Sequence, residues 1–339
     1  YTNSGALQDA SATGDVSGGR YTGGLVGEFG TSASMSSVRA EGLVSGTGDV
    51  GGLAGYASGS GGVSSAEALG DVVSSATATY SVGGAFGYFN LSGSSSGISA
   101  AGDVSGGAHT GGVIGYYATS VALTGASINQ VDSVSRRVSG YGWVGGMLGY
   151  SNAAAITGLS SSATVTGLGT SASAGGLAGR TGGAVTSSSA GGNVVSGGMA
   201  GGLVAQADGA ADFTDVSATG NVTGRSYVGG LIGFYQSNNT LLRAQASGDV
   251  VTDDAGGGLV GYHYGGPITD SSASGQVTGV SESTLYLGGL VGHFGSSCYY
   301  CGQNSTYVIS NSHATGNVRA DSPGGFVGGC RSSSSRTRC

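Results

Sequence analysis

The sequence predicts an all-β protein, a right-handed parallel β-solenoid (β-helix) of about eleven coils with about three short strands in each coil. The first observation is a tetrad, Gly-Gly-hydrophobic-hydrophobic, usually closed by a third Gly, which occurs eleven times at intervals of 26 to 36 residues. The second is a run of small residues that ends in Gly-x-Val and precedes the tetrad in phase, as in 12–16 and 246–250. Repetition at a fixed phase is typical of a one-dimensional array of stacked repeats. The tetrads begin at Gly23, Gly51, Gly83, Gly111, Gly145, Gly175, Gly201, Gly229, Gly257, Gly288 and Gly324.

The segments of each repeat favour strands. They are too short and too rich in glycine for amphipathic helices, since an interior Gly costs a helix roughly 1 kcal/mol relative to Ala. We expect one strand at Gly-x-Val, one at the tetrad and a looser third, as in 122–124 or 307–309. Stacked at the ~4.8 Å spacing of a β-ladder, eleven coils would give a rod on the order of 50 Å long. The phase never breaks, which predicts one continuous solenoid over 1–329 and a Cys-bearing tail or cap over 330–339.

Strand alternation predicts two opposed columns in the tetrad. The third position is always apolar and is expected to face the interior, and the fourth is expected to point the other way. Two residues beyond the fourth position, on the same expected face, lies a mainly aromatic file with His293 near its end. We take this file as a candidate interaction face; sugar binding, self-stacking and an assembly contact all remain open for it. Its aromatic members are Tyr56, Tyr88, Tyr116, Tyr150, Phe234 and Tyr262.

Composition separates the chain from a flexible linker. The sequence has 74 Gly, 2 Pro and only 9% charged residues, but it is 38% hydrophobic and its apolar residues recur at fixed phase. A disordered segment would lack those residues. The net charge of −7 comes with no basic stripe, so nucleic acid is not an expected partner. No apolar run is long enough for a membrane helix, and membrane insertion is not expected. Because no signal peptide or Met stands at Tyr1, we expect a processed portion of a longer product.

The repeated tetrad and its upstream Ala-Thr-Gly-Asn/Asp-Val resemble the GLUG-motif repeats of bacterial surface proteins. These include filamentous-haemagglutinin-type adhesins and the non-catalytic stalks of IgA-cleaving metallopeptidases. The resemblance spans nearly the whole chain; Ala205 departs from it by replacing the closing Gly, and 324–329 departs by running into the Cys-bearing tail. It implies a secreted β-helical scaffold that serves as a spacer or a presentation surface.

The motif search gives no catalytic constellation. None of the four histidines has the Glu neighbour or partner His of a metallopeptidase, and the acidic residues are scattered. A Ser nucleophile elbow would need a following helix. We therefore expect no enzymatic activity and no cofactor.

A polar column stands just before the Val of the first strand. Stacked carboxylates and amides at this position could bind Ca²⁺ through oxygen ligands, but the nonapeptide spacing of calcium-binding rolls is missing, so a structural ladder is favoured. The column reads Asp15, Leu43, Asp71, Asp103, Arg137, Thr164, Asn193, Asn221, Asp249, Gln276 and Asn317.

All four cysteines, Cys298, Cys301, Cys330 and Cys339, fall at the C-terminal end. An even number in an apparently secreted chain predicts two disulfides, with the pairing left open. Cys298 and Cys301 also fit half a zinc site, although the spacing of the other two matches zinc knuckles poorly.

Three asparagines are candidate N-glycosylation acceptors: Asn90, Asn238 and Asn304. Each follows a tetrad, where we expect a loop. A fourth match, at Asn221, falls within a predicted strand and is less favoured.

The sequence thus predicts a non-catalytic extracellular structural protein, a fibre- or stalk-forming subunit at the cell surface. Exposed strand edges at the end of a solenoid invite pairing, so we expect self-association end to end into filaments. One alternative is an adhesin module that binds a host or polysaccharide ligand, such as surface glycans, through its Tyr-rich face. Another is the passive scaffold of a larger secreted enzyme.

Overall fold

The computed structural model describes residues 5–75, 79–125, 128–130, 136–152, 154–209, 211–280, 286–295, 308–320 and 323–331. Within these ranges the chain forms short strands, turns and bends and no helix. Each strand pairs in parallel with its counterpart about one repeat away, as Val16 does with Val44 and Val26 with Ala54. The predicted parallel β-solenoid is therefore confirmed; its right-handed sense stays a prediction. In the described part of the chain, no helix is long and apolar enough to span a membrane.

The Gly-x-Val segments form an eleven-stranded sheet, which we call the valine sheet. Its central Val is buried from Val44 to Val277, whereas the outward residues beside it are exposed or half-buried. This is the period-2 alternation of a sheet with one face in the core. Its strands are Val16–Ser17, Val44–Gly46, Val72–Ser74, Val104–Ser105, Arg137–Gly140, Thr164–Gly167, Val194–Ser196, Val222–Gly224, Val250–Thr252, Val277–Gly279 and Val318–Arg319.

A ten-stranded sheet, the hinge sheet, ends in each coil on the first Gly of the tetrad. In the last coil a single bridge between Gly288 and Gly324 takes its place. Its strands are Tyr21–Gly23, Asp49–Gly51, Ser81–Gly83, His109–Gly111, Trp143–Gly145, Ser173–Gly175, Ala200–Gly201, Val228–Gly229, Ala255–Gly257 and Tyr286–Gly288.

The second eleven-stranded sheet, the tyrosine sheet, begins in each coil on the fourth position of the tetrad. The valine, hinge and tyrosine sheets together give three strands per coil along the rod. The strands of the tyrosine sheet are Val26–Thr31, Ala54–Gly59, Phe86–Leu91, Ile114–Tyr117, Leu148–Ser151, Ala178–Thr181, Val204–Asp208, Ile232–Gln236, Val260–His263, Val291–Gly295 and Val327–Arg331. The last of these extends two residues past the domain boundary expected at 329.

The looser third segment of the repeat forms the back of the solenoid. In the N-terminal half it is one six-stranded sheet: Ala6–Gln8, Ser11–Ala12, Ser34–Ala40, Val63–Ala68, Ser95–Ala100 and Ile128–Gln130. In the C-terminal half it is divided into two sheets. The first contains Leu123–Thr124, Ile156–Thr157, Val185–Thr186, Phe213–Thr214, Leu241–Leu242, Ile268–Thr269 and Ile309–Ser310. The second contains Ser160–Ser161, Ser189–Ala190, Ser217–Ala218, Gln245–Ala246, Ser272–Ala273 and His313–Ala314.

Two separate hydrophobic cores run along the rod. The larger lies between the tyrosine sheet and the back sheets and contains Phe86, Ile98 and Phe213. The smaller lies between the valine and hinge sheets and is built almost wholly of Val and Ala, with Val50 and Val222 as examples. Each coil therefore buries side chains in two layers, and only its neighbours above and below complete them.

The tetrad places both of its apolar residues inside. The third position is fully buried from Leu53 to Leu290, as predicted. The prediction that the fourth position points away from the core is wrong, since Ala54, Val204 and their equivalents through Val291 are also fully buried. The second Gly and the third residue form a bend between the hinge and tyrosine strands, so the alternation starts anew at the fourth position.

The closing Gly interrupts alternation a second time. Ala54 and Ala57 are both fully buried, whereas Tyr56 between them is half-buried and stands outside the core. Register pairing links residues 54 and 56 to the next strand and omits Gly55. The aromatic file therefore does not share a face with the fourth-position column.

Candidate functional site: an aromatic seam along the rod

Four tyrosines of the aromatic file stack on one another. Tyr56, Tyr88, Tyr116 and Tyr150 are register partners in successive strands. Their ring centroids are 4.7, 5.3 and 4.8 Å apart and the rings are within 8° of parallel. We call these four residues the tyrosine ladder. Identical side chains at the rung spacing of a sheet can adopt the same rotamer, so each ring packs flat on the next.

Both ends of the tyrosine ladder are covered. The ring of Tyr21 lies 5.0 Å from that of Tyr56, tilted by 36°. At the other end the guanidinium carbon of Arg180, the register partner of Tyr150, lies 5.0 Å from its ring centroid. The ladder therefore presents ring edges, not ring faces, to a ligand. Of the interpretations left open by the sequence, this geometry favours self-stacking.

A second file of rings faces the first, and sequence reasoning missed it. It consists of the residues two positions before the tetrad wherever these are aromatic or His, and we call it the hinge file: Tyr21, His109, Trp143, Tyr227 and Tyr286. His109 lies edge-on to Tyr116 and Tyr150 at 5.1 and 5.6 Å. The guanidinium carbon of Arg180 lies 5.4 Å from the ring centroid of Trp143. The signal was available in the sequence, but Asp49, Ser81 and Ser173 interrupt this column and hide it.

The closing Gly of the tetrad lets the two files meet. A Cβ on Gly115 would lie 2.6 Å from the backbone nitrogen of Val82, and one on Gly261 would lie 2.6 Å from that of Val228. Such distances are shorter than any side chain tolerates against backbone. The tyrosine sheet therefore rests directly on the hinge strand of the preceding coil. Beside Gly261 this contact brings Tyr262 against Tyr227, with ring centroids 4.8 Å apart.

In coils eight to ten the same two files form a different arrangement. Phe234, Tyr262 and His293 are register partners, but their rings are tilted by 40° and 36° at centroid distances of 5.7 and 4.4 Å. Tyr227 lies edge-on to Tyr262 at 4.8 Å, and Tyr264 lies edge-on to Phe234 at 5.3 Å. We call these five residues, together with Tyr286, which lies 4.3 Å from His293, the aromatic cluster.

A polar pair separates the tyrosine ladder from the aromatic cluster. Arg180 and Gln206 occupy the two intervening rungs of the file. The guanidinium Nε of Arg180 donates to Asp208 at 3.0 Å, and the amide of Gln206 donates to the same carboxylate at 3.4 Å. The guanidinium of Arg180 is thus fixed between the rings of Trp143 and Tyr150 and the carboxylate of Asp208.

Two histidines beside these rings are held neutral. His263 is fully buried beneath the aromatic cluster, with its ring stacked 5.2 Å from that of Tyr235. Its Nε2 lies 3.0 Å from the carbonyl oxygen of Gly266, which can only accept, so Nε2 carries the proton. Burial lowers the pKa of His263 to about 4. Burial, followed by the nearby charge of Arg180, lowers the pKa of His109 to about 4 as well.

Two phenols of the tyrosine ladder, those of Tyr88 and Tyr116, also resist ionisation. Burial raises the pKa of Tyr88 and Tyr116 above the ordinary value, and neighbouring phenols add to the effect in both. Neutral rings at these two adjacent positions do not repel each other, which suits a stack that holds successive coils together.

The polar column before the Val forms hydrogen bonds from coil to coil, as the ladder interpretation predicts. In each case a side-chain Oδ1 accepts the backbone N–H of the equivalent residue in the next coil. Examples are Leu43 N to Asp15, Asp103 N to Asp71, Asn221 N to Asn193, Asp249 N to Asn221 and Gln276 N to Asp249, at 2.8 to 3.0 Å. Within the described ranges no group of three or more His, Cys, Asp or Glu residues could hold a metal ion.

The remaining candidate residues divide between described and undescribed parts of the chain. Asn90 was expected in a loop, but it lies within the strand Phe86–Leu91, half-buried, with its amide 3.5 Å from the Ser58 hydroxyl. Asn238 is exposed in a bend, as expected. Asn304, Cys298, Cys301 and Cys339 lie outside the described residues, and of Cys330 only the backbone strand is described, so the disulfide prediction stays a prediction.

Comparison with known proteins identifies the repeat. The family model of the GLUG motif matches residues 196–223 and 255–278. Each match contains one tetrad, at 201–204 and at 257–260, and ends just past the Val of the next Gly-x-Val segment, Val222 or Val277. No curated protein and no solved structure matches the chain significantly.

Proposed function

We propose that this chain, a GLUG-repeat protein wound into a parallel β-solenoid, is a non-catalytic structural subunit of the extracellular surface, where it forms a stalk or fibre. The GLUG motif and the β-solenoid fold support a structural repeat of the kind found in secreted surface proteins. The fibre- or stalk-forming role and the cell-surface location go beyond it and are our proposal.

One observation carries the proposal: the ladders run uninterrupted along the molecule. The valine and tyrosine sheets each contain eleven strands in constant register. At ~4.8 Å per rung this gives a rod on the order of 50 Å long. The tyrosine ladder, the aromatic cluster and the polar column all join successive coils, so these side chains support rigidity along the rod axis.

The Tyr-rich face has less support as a glycan-binding site. Stacking of a sugar on an aromatic side chain needs an open ring face, and the faces in the tyrosine ladder are covered by their neighbours, by Tyr21 and by Arg180. For this reason we place the adhesin role second to the stalk role.

Surface labelling of intact producing cells tests the proposal. A membrane-impermeant reagent that modifies carboxylates, or an antibody against the folded chain, is expected to label the protein without permeabilisation. A cytoplasmic protein labelled under the same conditions only after lysis is the control. Labelling that requires lysis would contradict the surface role, whatever the shape of the molecule.

A further inference from the structure

We propose that Arg136 is a buried clamp that makes two differently built segments of the rod unfold together. The N-terminal segment, residues 5–117, and the C-terminal segment, residues 137–320, share the valine, hinge and tyrosine sheets but differ in other parts of the coil. Arg136 stands at the boundary between them. The inference concerns the cohesion of the rod, so it goes beyond the proposed function and does not depend on the surface location.

The first difference between the segments is the back of the solenoid. In the N-terminal segment the back is a single sheet, whereas in the C-terminal segment it is divided into two. The change falls just before Arg136: Leu123–Thr124 begins one of the C-terminal back sheets, and Ile128–Gln130 ends the N-terminal one. The wall that encloses the larger core is therefore built differently on the two sides of this boundary.

The bend of the tetrad changes its hydrogen bonding in the same region. In the first coils the N–H of the second Gly donates to the carbonyl of the second Gly in the next coil, as Gly52 does to Gly84 at 3.1 Å. From Gly84 onwards it donates to the first Gly of the next coil instead, as Gly112 does to Gly145 at 3.2 Å. The earlier pattern would pair the carbonyl of Gly112 with Gly84, and this carbonyl is one of the two that Arg136 binds.

A column of glycines two positions before the Val is interrupted at the boundary as well. A Cβ on Gly102 would lie 2.1 Å from the carbonyl oxygen of Gly70, one coil earlier, so a side chain is excluded wherever the coils keep this spacing. Gly occupies the position in nine of the eleven coils, and Arg136 and Ala163 stand in the other two. The coil of Arg136 therefore cannot stack on Gly102 in the way that Gly102 stacks on Gly70.

The side chain of Arg136 fills the core at this break. Only 4% of the residue is exposed. Its Nη1 donates to the carbonyl oxygen of Ala100 at 2.5 Å, and its Nη2 donates to that of Gly112. Both acceptors belong to the N-terminal segment, whereas the backbone of Arg136 leads directly into the valine strand Arg137–Gly140 of the C-terminal segment. One guanidinium thus joins the two segments through the core.

The bond to Ala100 is made at a carbonyl that elsewhere in the rod accepts a backbone N–H from the next coil. Ala68 accepts from Ala101 at 2.9 Å, and Ala190 accepts from Thr219 at 3.0 Å. At the boundary the guanidinium of Arg136 donates to the equivalent oxygen. Hydrogen bonding from coil to coil therefore continues across the boundary through a side chain.

The charge of Arg136 strengthens this connection. Burial lowers the pKa of Arg136 to about 10, and the carboxylates of Asp103 and Asp71 oppose the shift, so the guanidinium is charged at neutral pH. Hydrogen bonds from a charged donor are stronger than those from a neutral one. Because unfolding of the N-terminal segment alone would take both acceptors from this cation, the clamp disfavours a state in which only one segment is folded.

Pulsed hydrogen exchange of the full chain at increasing urea concentrations, read by mass spectrometry of peptides from each segment, tests the clamp. Arg136→Met removes both donors and keeps an unbranched apolar side chain. Arg136→Lys keeps the charge but loses the planar fork that reaches two carbonyls. Arg137→Met is the matched control, because the side chain of this adjacent arginine is 77% exposed.

In the unmodified chain and in Arg137→Met, we expect peptides of both segments to become exchangeable at the same urea concentration. In Arg136→Met the midpoints of the two segments should separate by about 0.5 M or more, and in Arg136→Lys by less. Arg136→Lys, the milder change, carries the comparison if Arg136→Met does not fold. Segments that unfold separately in the unmodified chain, or that still unfold together in the folded Arg136 variants, would overturn the clamp. Neither result bears on the surface location, which the labelling experiment tests separately.

Discussion

The tyrosine ladder and the aromatic cluster occupy equivalent places in the repeat but pack differently. In the ladder four tyrosines stack within 8° of parallel, whereas in the cluster Phe234, Tyr262 and His293 are tilted by 36° to 40°. The backbone is the same in both, because the register pairs continue through Tyr150, Arg180 and Gln206 to Phe234. Residue identity at each rung, and not the fold, therefore decides whether rings stack flat.

The comparison separates two requirements for packing aromatic rings along the rod. The closing Gly is needed in both regions, since it brings the tyrosine sheet against the hinge sheet. The identity of the ring is a smaller, local choice. Identical rungs give a regular stack, and mixed rungs need additional rings, such as Tyr264 and Tyr227, to fill the space between them.

Substituting the closing Gly tests the shared requirement and is expected to have the largest effect. Gly115→Ala and Gly261→Ala each place a Cβ 2.6 Å from a backbone nitrogen, so the hinge strand has to move. We expect each to lower the free energy of unfolding by about 3 kcal/mol or more, measured by urea denaturation. Gly19→Ala is the control, because a Cβ there meets nothing within 4 Å. If the two substitutions lowered the free energy of unfolding by very different amounts, the contact between the tyrosine and hinge sheets would not be equivalent in the two regions.

Acid is expected to weaken the cluster through His263. The folded pKa of about 4 lies below the ordinary 6.5, so between these values the unfolded chain takes up a proton that the folded chain does not. Stability is therefore complete above about pH 6.5 and falls as the pH is lowered towards 4, by on the order of 3 kcal/mol for a fully buried group. Melting as a function of pH measures this loss.

His263→Gln should flatten this part of the pH profile, and His313→Gln, an exposed position, should leave it unchanged. His109, which lies edge-on beside the tyrosine ladder, contributes in the same direction, since burial lowers its pKa too. A His263→Gln variant with the full acid loss would show that the buried imidazole is not responsible.

A double-mutant cycle on each region measures how ring geometry affects stability. For Tyr88 and Tyr116, replaced singly and together by Leu, we expect a coupling free energy of about 1 kcal/mol, because parallel offset rings gain energy beyond the area they bury. For Phe234 and Tyr262, which are 5.7 Å apart and tilted, the coupling is expected to be smaller. Equal coupling in the two cycles would remove the energetic distinction between ladder and cluster.

Removing the cation at the end of the tyrosine ladder should have the smallest effect. Arg180→Met keeps an apolar cover on Tyr150 but loses the cation–π contacts and the pair with Asp208, for an expected loss of roughly 1 kcal/mol. Arg137→Met is the control, since that side chain is 77% exposed and its pair with Asp103 is worth little. A loss no greater than the control's would mean that Arg180 only fills space.

The sequence predicted the repeat correctly because the tetrad and the Val that precedes it are the residues that define each coil. The direction of the side chains was predicted wrongly where a bend interrupts the strand. Leu53 and Ala54 are adjacent and both fully buried, which strict alternation forbids and the bend at Gly52–Leu53 permits. The same interruption at Gly55 turns Tyr56 outward.

The hinge file could not be recognised as a column because its rungs are not uniform. Trp143 and Tyr227 are separated along the column by small or polar residues such as Ser173. The residues that their rings contact depend on how the hinge sheet packs against the tyrosine sheet, which the sequence alone does not show. Asn90 was misplaced for a related reason: the tyrosine strand is six residues long in that coil, although it is four in the next.

Small-angle X-ray scattering of the dilute chain, at a concentration where sedimentation shows a monomer, tests the central claim most directly. An uninterrupted stack of eleven rungs at ~4.8 Å predicts a short rigid rod with a length on the order of 50 Å. A pair-distance distribution that is skewed towards long distances, with a maximum dimension clearly greater than the diameter of a sphere of the same mass, would support the account. A compact sphere of the same mass, or a flexible chain without a defined cross-section, would contradict it.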